Sequence, residues 1–267
     1  MKFAILDNGY LTTDINNVIA GARIRTRSNP NATSEFYNLP VMCVLIEHEG
    51  RYILYDTGCN MNSMKGYWNE ELQDMYVLHQ SLEQNIEVQL ALCGVRKEQI
   101  DTVILSHMHF DHTGNIACFP NATFYVPKAD FMHGQTAVRI TQNPMEYFGY
   151  CKKDLDVEVK KYVLVDEDFE IVPGVKILHL PGHAPGVLGL MIHLQEEGTY
   201  IFPMDAVYTS EIYGPPAKAA GLVHNRDDYF RSIEKVRFLA DNYNATVVPG
   251  HDANLFKSLK KAPEFYR

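Results

Sequence analysis

The chain is organised around Leu105-Ser-His-Met-His-Phe-Asp-His-Thr-Gly114, which overlaps the end of an apolar run over residues 102–105 that predicts a buried strand. Within six residues this stretch offers four metal ligands: His107, His109, Asp111 and His112. On extended backbone, alternate side chains share one face, so His107 and His109 can converge on one ion. The turn that follows presents Asp111 and His112 from another direction, which predicts two adjacent metals. Imidazole and carboxylate ligands without thiolate suit zinc, iron, cobalt or manganese.

The length and composition of the chain predict one globular domain, residues 1–267. Hydrophobic residues make up 46% and charged residues 21% of the sequence, which is ordinary for a soluble protein. No apolar run approaches the roughly 18 residues of a membrane helix, so no membrane association is expected. The net charge of −9 argues against nucleic-acid binding, which depends on clustered Lys and Arg.

The N-terminal stretch and the cysteines together predict a cytoplasmic protein. Met1-Lys-Phe-Ala-Ile-Leu-Asp7 has few apolar residues before a charge, so it is interpreted as a first strand and not as a secretory signal. The five cysteines are odd in number and contain no CxxC pair, which is typical of reduced thiols in the cytosol.

Hydrophobic periodicity predicts strands that both precede and alternate with helices. A strong hairpin signal joins residues 41–46 to residues 51–55 and ends on Asp56-Thr-Gly58. Helices are predicted over residues 81–93, from Pro127 onward, and over residues 227–242. Further strands are predicted over residues 102–105, 123–126, 162–165, 169–172, 175–180, 187–194, 200–204 and 246–248. The pattern indicates mixed α/β layers.

Two segments are harder to interpret. Residues 8–39 show no clear period and are predicted to be irregular, forming either a wall of the site or a subunit contact. Residues 60–80 are rich in Met and Tyr and hold the single tryptophan. Their composition favours a helix packed on the core, with an apolar substrate wall as the alternative.

A short internal similarity indicates two related halves. Gly50-Arg-Tyr-Ile-Leu-Tyr-Asp56 resembles Gly198-Thr-Tyr-Ile-Phe-Pro-Met-Asp205, and each follows an apolar strand and an acidic turn. Both halves therefore send a strand toward a terminal aspartate, which predicts that the strand ends meet at a shared site.

Three later positions complete a two-metal ligand set. His183, Asp205 and His251 each lie just beyond an apolar run, and both histidines follow Pro-Gly. Such a turn aims a side chain away from the end of a strand. Together with the first stretch, these residues provide five histidines and two aspartates.

These motifs resemble the metallo-β-lactamase superfamily: the HxHxDH stretch, the later histidines and aspartate, and the hairpin ending in Asp-Thr-Gly. The resemblance implies a four-layered αβ/βα sandwich with a dimetal site between the two sheet edges. By analogy, His107, His109 and His183 would hold one metal, and Asp111, His112 and His251 the other. Asp205 would bridge the two metals, and Asp56 would orient the site.

Finer features resemble N-acyl-homoserine lactone lactonases and the similar 4-pyridoxolactonase. These features are Leu39-Pro-Val-Met-Cys-Val-Leu-Ile46, Phe110 inside the HxHxDH stretch, Val172-Pro-Gly-Val175 and Asp205-Ala-Val-Tyr208. In both families a tyrosine three residues after the bridging aspartate touches the substrate, which is the place of Tyr208. Phe110 is expected at the substrate, and Tyr67 and Trp68 are candidates for an acyl-chain wall.

The resemblance implies a quorum-quenching lactonase that needs two divalent metals, with zinc expected first. A metal-bridging hydroxide would attack the lactone carbonyl while Tyr208 helps to stabilise the oxyanion. Asp111 would carry the proton to the leaving alkoxide. The expected partner is a small-molecule lactone, and a homodimer is the expectation of the family.

Three alternative functions remain open at this point. A 4-pyridoxolactonase-like enzyme would use the same aromatic residues. A thioester or phosphodiester hydrolase shares the fold, although no basic cluster marks a phosphodiester pocket. A di-iron redox enzyme is disfavoured because relatives of that kind add flavin or rubredoxin-like parts, for which this chain has no room.

Overall fold

The computed structural model describes residues 1–267 and contains two β-sheets. The strands are β1 (Lys2–Asp14), β2 (Phe36–His48), β3 (Arg51–Tyr55), β4 (Val77–His79), β5 (Ile100–Ile104), β6 (Thr123–Pro127), β7 (Lys161–Val165), β8 (Phe169–Val172), β9 (Val175–His179), β10 (Leu188–Leu194), β11 (Gly198–Met204) and β12 (Thr246–Pro249). One sheet has the order β4-β1-β2-β3-β5-β6-β7, and the other has the order β12-β11-β10-β9-β8.

The helices are mostly short. They are α1 (Ile15–Val18), α2 (Glu70–Met75), α3 (Ile86–Leu92), α4 (Phe110–Thr113), α5 (Lys128–Ile140), α6 (Lys152–Leu155), α7 (Ser210–Tyr213), α8 (Arg226–Tyr243) and α9 (Ala253–Ser258). Five 3₁₀ turns lie between them, over residues 63–65, 82–84, 97–99, 116–118 and 144–147. None of the helices is long and apolar enough to cross a membrane.

The two sheets pack face to face, with helices on their outer faces. Alternation along β2 sends Val44 inward, where it joins residues of the second sheet such as Leu190 and Phe202. Leu45 points to the opposite face and packs with α3 and α5. On the outer face of the second sheet, Val236 of α8 belongs to a cluster with strand residues of β9 to β11. The predicted four-layered α/β sandwich is confirmed.

The predicted hairpin and the internal similarity both correspond to real strand arrangements. β2 and β3 pair antiparallel, and β3 then pairs parallel with β5. In the second sheet, β10 and β11 pair antiparallel, and β11 pairs parallel with β12. The same three-strand arrangement therefore occurs once in each sheet.

The expectation that residues 8–39 are irregular is wrong for much of that segment. β1 continues to Asp14 and β2 begins at Phe36, so the two strands pair along most of their length. The strand period is hidden by a bulge between Asp7 and Tyr10, where Gly9 has φ +91°. A Cβ at Gly9 would lie 2.5 Å from the carbonyl oxygen of His79. Pairing with β2 and β4 therefore defines this strand.

Two helix predictions are also corrected, in both cases at an asparagine. Residues 60–80 form a 3₁₀ turn, α2 and β4 instead of one helix, and Asn69 caps α2 by accepting from the backbone N–H of Leu72. The helix predicted over residues 81–93 begins only at Ile86, after Asn85 accepts from the backbone N–H of Glu87. Leu82, an apolar residue of that predicted helix, is 75% exposed. Side-chain capping therefore interrupts the helical structure where apolar spacing alone predicts one continuous helix.

Candidate metal centre

The seven predicted ligands lie together at one edge of the two facing sheets. They form a first group (His107, His109, His183 and Asp205) and a second group (Asp111, His112 and His251), and within each group the ligand atoms lie within 4.8 Å of one another. All seven side chains are buried. The residues come from the chain just after β5, β9, β11 and β12, so the ends of four strands place them.

The imidazoles of the first group converge on one point. Nδ1 of His109 lies 3.0 Å from Nε2 of His107 and 2.9 Å from Nε2 of His183. Neutral imidazole nitrogens at this spacing are close to the edges of a tetrahedron with metal–nitrogen bonds of about 2.0 Å. Because each nitrogen of a neutral imidazole is either a donor or an acceptor, at least two of three converging nitrogens are of the same kind and cannot hydrogen-bond to each other. A shared cation suits this donor set.

Asp205 lies between the two groups. Its Oδ2 is 3.3 Å from Nε2 of His183 and 3.7 Å from Nε2 of His107. Its Oδ1 is 2.9 Å from Nε2 of His251 and 3.3 Å from Nε2 of His112. One carboxylate oxygen thus faces each group, which is the arrangement of a bridging ligand.

The second group contains a buried nitrogen without a hydrogen-bond partner, Nε2 of His112. It lies 3.4 Å from Oδ2 of Asp111, and Nε2 of His251 lies 3.7 Å from the same oxygen. Leaving a buried polar atom unpaired costs about 1–3 kcal/mol. A cation held by these three residues would remove that cost, so this donor set also fits a metal.

Hydrogen bonds to the far side of the rings fix which nitrogen faces the centre. Nδ1 of His112 donates to Oδ2 of Asp56 at 2.8 Å. The Nδ1 atoms of His183 and His251 each lie 2.9 Å from a backbone carbonyl oxygen, of Leu222 and Pro40 respectively. Because these oxygens only accept, Nδ1 carries the proton and the Nε2 lone pair is left for the centre.

Burial and neighbouring charges set the protonation of the cluster. Burial holds the pKa of His107 well below its usual value and lowers the pKa of His109 to about 3. Burial also disfavours charged His112, but three nearby carboxylates outweigh it and raise its pKa well above the usual value, so a metal would have to displace a proton from Nε2 of His112. For Asp205 burial is again opposed, here by surrounding histidines that hold its pKa well below the usual value. Neutral His107 and His109 with ionised Asp205 are the forms that bind metals.

Tyr208 and Phe110 border the centre. Tyr208 is 7% exposed, and its ring lies 5.2 Å from that of His183 and 5.1 Å from that of His251. Its hydroxyl oxygen is 3.4 Å from Nδ1 of His183. Burial raises the pKa of Tyr208 well above its usual value, so its phenol stays protonated. Phe110, in α4, precedes Asp111 directly and is also buried.

Trp68 contacts Phe110, and Tyr67 contacts Asp154. Trp68 is 2% exposed and packs edge-on against Phe110, with ring centroids 4.8 Å apart. The hydroxyl of Tyr67 donates to Oδ1 of Asp154 at 2.6 Å. Tyr76 also packs on Phe110, at 5.3 Å. The sequence interpretation included Tyr76 in the Met- and Tyr-rich segment but did not single it out.

Two residues that the sequence did not suggest contact the HxHxDH stretch. Tyr150 packs edge-on against His109 at 5.0 Å, and Asp130 accepts a hydrogen bond from the backbone N–H of Met108. Neither has a local signal, because Asp130 is 22 residues from Met108 in the chain. Only the fold brings them together.

Comparisons with known proteins agree with this geometry. The family model described as metallo-beta-lactamase superfamily matches residues 37–251. The chain is 33% identical to N-acyl homoserine lactonase AiiB of Agrobacterium fabrum over 99% of both proteins. It is 30% identical to an N-acyl homoserine lactonase of a Bacillus species, covering 93% of this chain and 96% of that protein.

Among solved structures, one similar fold is an N-acyl homoserine lactone hydrolase with the product N-hexanoyl-L-homoserine bound at its catalytic metal centre. It superposes with a TM-score of 0.84 at 24% identity, over 99% of this chain and 98% of the other. Because the family match takes in most of this chain and a relative 33% identical spans nearly all of it, the chain belongs to the metallo-beta-lactamase superfamily.

Proposed function

We propose that this protein is a dimetal-dependent N-acyl-homoserine lactone hydrolase, a quorum-quenching lactonase. The observation that carries the proposal is Asp205, whose two oxygens face two buried groups of ligands. Relatives that span nearly the whole chain are named N-acyl homoserine lactonases, and they support lactones as the substrates of this centre.

The metals would be held as the donor set suggests. His107, His109 and His183 would hold one ion, and Asp111, His112 and His251 the other, with Asp205 between them. We propose zinc, because neutral imidazole and carboxylate donors in a buried site suit it. When bound, the two cations would supply Lewis-acid polarisation of the carbonyl and water that is deprotonated near neutral pH.

The protein side chains then orient the substrate and move its protons. The Tyr208 hydroxyl, kept protonated by burial, would donate to the oxygen of the lactone carbonyl as negative charge develops there. Water adds to the carbonyl carbon as the ring C–O bond breaks. Asp111 would take the proton from that water and give it to the leaving ring oxygen, so the product is the N-acyl homoserine.

The apolar side of the substrate is proposed to face aromatic residues. Phe110 lies beside Asp111 and packs against Trp68. With Tyr67, these residues remain our candidates for contacts with the acyl chain, which an apolar wall would favour. Replacing Trp68 with a smaller residue should therefore change the preference for acyl-chain length more than the rate on the lactone with the shortest acyl chain.

A substrate panel tests the proposed reaction. Purified, zinc-loaded protein is assayed against N-acyl-homoserine lactones of several chain lengths, a pyridoxolactone, a thioester and a phosphodiester, with bound metal quantified in parallel. We expect ring opening of the acyl-homoserine lactones to be fastest, to stop after chelation and to return with zinc. Preferred hydrolysis of a thioester, phosphodiester or pyridoxolactone would replace the proposed substrate class.

Three broader features belong to the same proposal. We propose that residues 1–267 form a single domain, that the protein acts in the cytoplasm, and that it forms a homodimer. The location is supported by five free cysteines, which suit a reducing compartment. Light scattering of the purified protein tests the dimer directly.

A further inference from the structure

Asp130 is a fully buried carboxylate that is not one of the seven ligands. It lies in the first turn of α5 and is 0% exposed. Its Oδ2 accepts from the backbone N–H of Met108 at 2.6 Å, and its Oδ1 accepts from the hydroxyl of Tyr150 at 2.5 Å. A buried carboxylate needs such partners because an unpaired one is very costly.

The first of these bonds acts on the backbone between two ligands. Met108 separates His107 from His109, and its N–H belongs to the peptide that joins it to His107. A short hydrogen bond from a peptide to a carboxylate is among the stronger kinds and fixes the peptide plane. Asp130 therefore restrains the direction in which His107 leaves the backbone.

The second bond acts on His109 through Tyr150. The Tyr150 ring packs edge-on against His109, and the carbonyl of Gly149 accepts from the N–H of Phe110 at 2.9 Å. A Cβ at Gly149 would lie 2.8 Å from Nε2 of His109. The 149–150 segment therefore covers the Nε2 edge of the ring, in keeping with His109 presenting Nδ1 where His107 and His183 present Nε2.

Asp56 makes the corresponding contacts on the other side of the stretch. It accepts from the N–H and the hydroxyl of Ser106, and from Nδ1 of His112 in the second group. Its one direct contact with a ligand ring is thus in the second group, and the Ser106 hydroxyl also lies 3.1 Å from Nδ1 of His107. The contacts of Asp130 lead to His107 and His109, both in the first group.

We propose that Asp130 is a positioning residue for the first metal, acting on His107 through Met108 and on His109 through Tyr150. Its removal weakens binding at the first group much more than at the second. This inference rests on the proposed metal centre but not on the identity of the substrate.

The test measures zinc affinity at each group by competition with a chromophoric chelator, using apo-protein. His183→Ala and His251→Ala serve as references, because each removes a ligand of one group and so assigns the two binding steps. Asp130→Ala should weaken zinc binding at the first group by about 10–100-fold, which is the usual effect of losing a residue that orients metal ligands by hydrogen bonding. Tyr150→Phe removes one of the two contacts and should weaken the same step less.

Asp130→Asn separates positioning from charge. Its amide can still accept from Met108 and donate to the Tyr150 oxygen, so it should recover most of the affinity lost in Asp130→Ala. Asp154→Asn is the matched control, because Asp154 is about as buried and accepts hydroxyls of Tyr67 and Thr113. Thr113 also contacts the backbone carbonyl of His109, but the amide oxygen of Asn can still accept from Thr113. Asp154→Asn should leave the first-group step unchanged.

The outcomes are distinct. Unchanged first-group affinity in both Asp130→Ala and Tyr150→Phe, or an equal loss at both groups, overturns the role of Asp130. If Asp154→Asn loses as much first-group zinc affinity as Asp130→Ala, the effect is a general one of buried carboxylates, and this outcome also overturns the role of Asp130. If Asp130→Ala does not fold, Tyr150→Phe and Asp130→Asn decide the matter. Failure of the wild-type protein to bind two zinc ions would instead overturn the metal centre, and this inference with it.

Discussion

Two aspartates at equivalent strand ends do different work in this protein. Asp56 follows β3 and Asp205 follows β11, the corresponding strands of the two sheets. In the first sheet the left-handed residue is the aspartate itself, with φ 59°, whereas in the second it is Met204, with φ 45°, one residue earlier. The surroundings of the two carboxylates differ together with this shift of one residue. The Asp56 carboxylate accepts a hydrogen bond from Nδ1 of His112, whereas the Asp205 carboxylate lies among four histidines.

The electrostatic surroundings of the two aspartates differ accordingly. Burial raises the pKa of Asp56, although His112 and Ser106 oppose it. The histidines around Asp205 overcome burial and hold its pKa well below the usual value. The same strand-end position thus supplies either a candidate ligand or a hydrogen-bond acceptor for a candidate ligand, according to how many imidazoles surround it.

Asp205→Asn should have the largest effect, because it removes charge from both groups at once. Loss of several kcal/mol of electrostatic stabilisation corresponds to a fall in kcat/KM of about three powers of ten. Metal content measured on the same sample should fall from two ions to one or none. Full occupancy with unchanged turnover would contradict a bridging role.

Tyr208→Phe should have the next largest effect. It extends the comparison of the two strand ends to the residues three positions after each aspartate. Tyr208 follows Asp205 by three positions, and Cys59 follows Asp56 by three. Removing a hydroxyl that donates to the developing oxyanion should lower kcat/KM by about 100-fold with metal content unchanged. Cys59→Ala is the matched control and should leave kcat/KM close to wild type. Equal rates for Tyr208→Phe and wild type on the true substrate would exclude the contact.

Asp56→Asn should have a smaller effect, chiefly on His112, because Asp56 contacts His112 directly and reaches His107 through the Ser106 hydroxyl. In either orientation the amide places a donor against Ser106 N–H or against the Nδ1–H of His112. Metal affinity should therefore fall by about 10–100-fold, mainly at the second group. Chelator competition measures this, and a loss confined to the first group would refute the assignment.

Asp154→Asn should have the smallest effect, visible only in the pH dependence of stability. Burial raises the pKa of Asp154 to about 6, and no histidine contact opposes it. The folded state therefore binds a proton that the unfolded state releases near pH 4, so stability decreases as pH rises from about 4 to about 6. Across that window wild type should lose about 1–2 kcal/mol relative to Asp154→Asn in denaturant unfolding. A constant difference would show that burial alone does not raise this pKa.

The ligand set could be predicted because its signals are local. His107, His109, Asp111 and His112 are close in sequence, and His183 and His251 share a Pro-Gly turn after an apolar run. The β2–β3 hairpin was predicted for the same reason, since its strands are joined by a two-residue turn at Glu49 and Gly50 with positive φ.

The walls around the site could not be predicted in the same way. β1 was missed beyond Asp7 because its continuation depends on pairing with β2 and β4, which lie far along the chain. Residues 60–80 were misjudged because Asn69 and the left-handed Gly66 divide what composition presents as one helix. Contacts with distant strands and caps decide such segments.

The sequence by itself determined the α/β class, and its family resemblance determined the four-layered arrangement. It also determined which seven residues would be brought together, because hydrophobic periodicity and ligand spacing can be recognised over short stretches of the chain. Only the tertiary structure decided that Asp205 faces both groups, that Asp56 accepts from His112, and that Asp130 and Tyr150 contact the HxHxDH stretch at Met108 and His109. Those relations join atoms from separate strands and helices. Their distances are fixed by how the two sheets pack, and no local pattern encodes them.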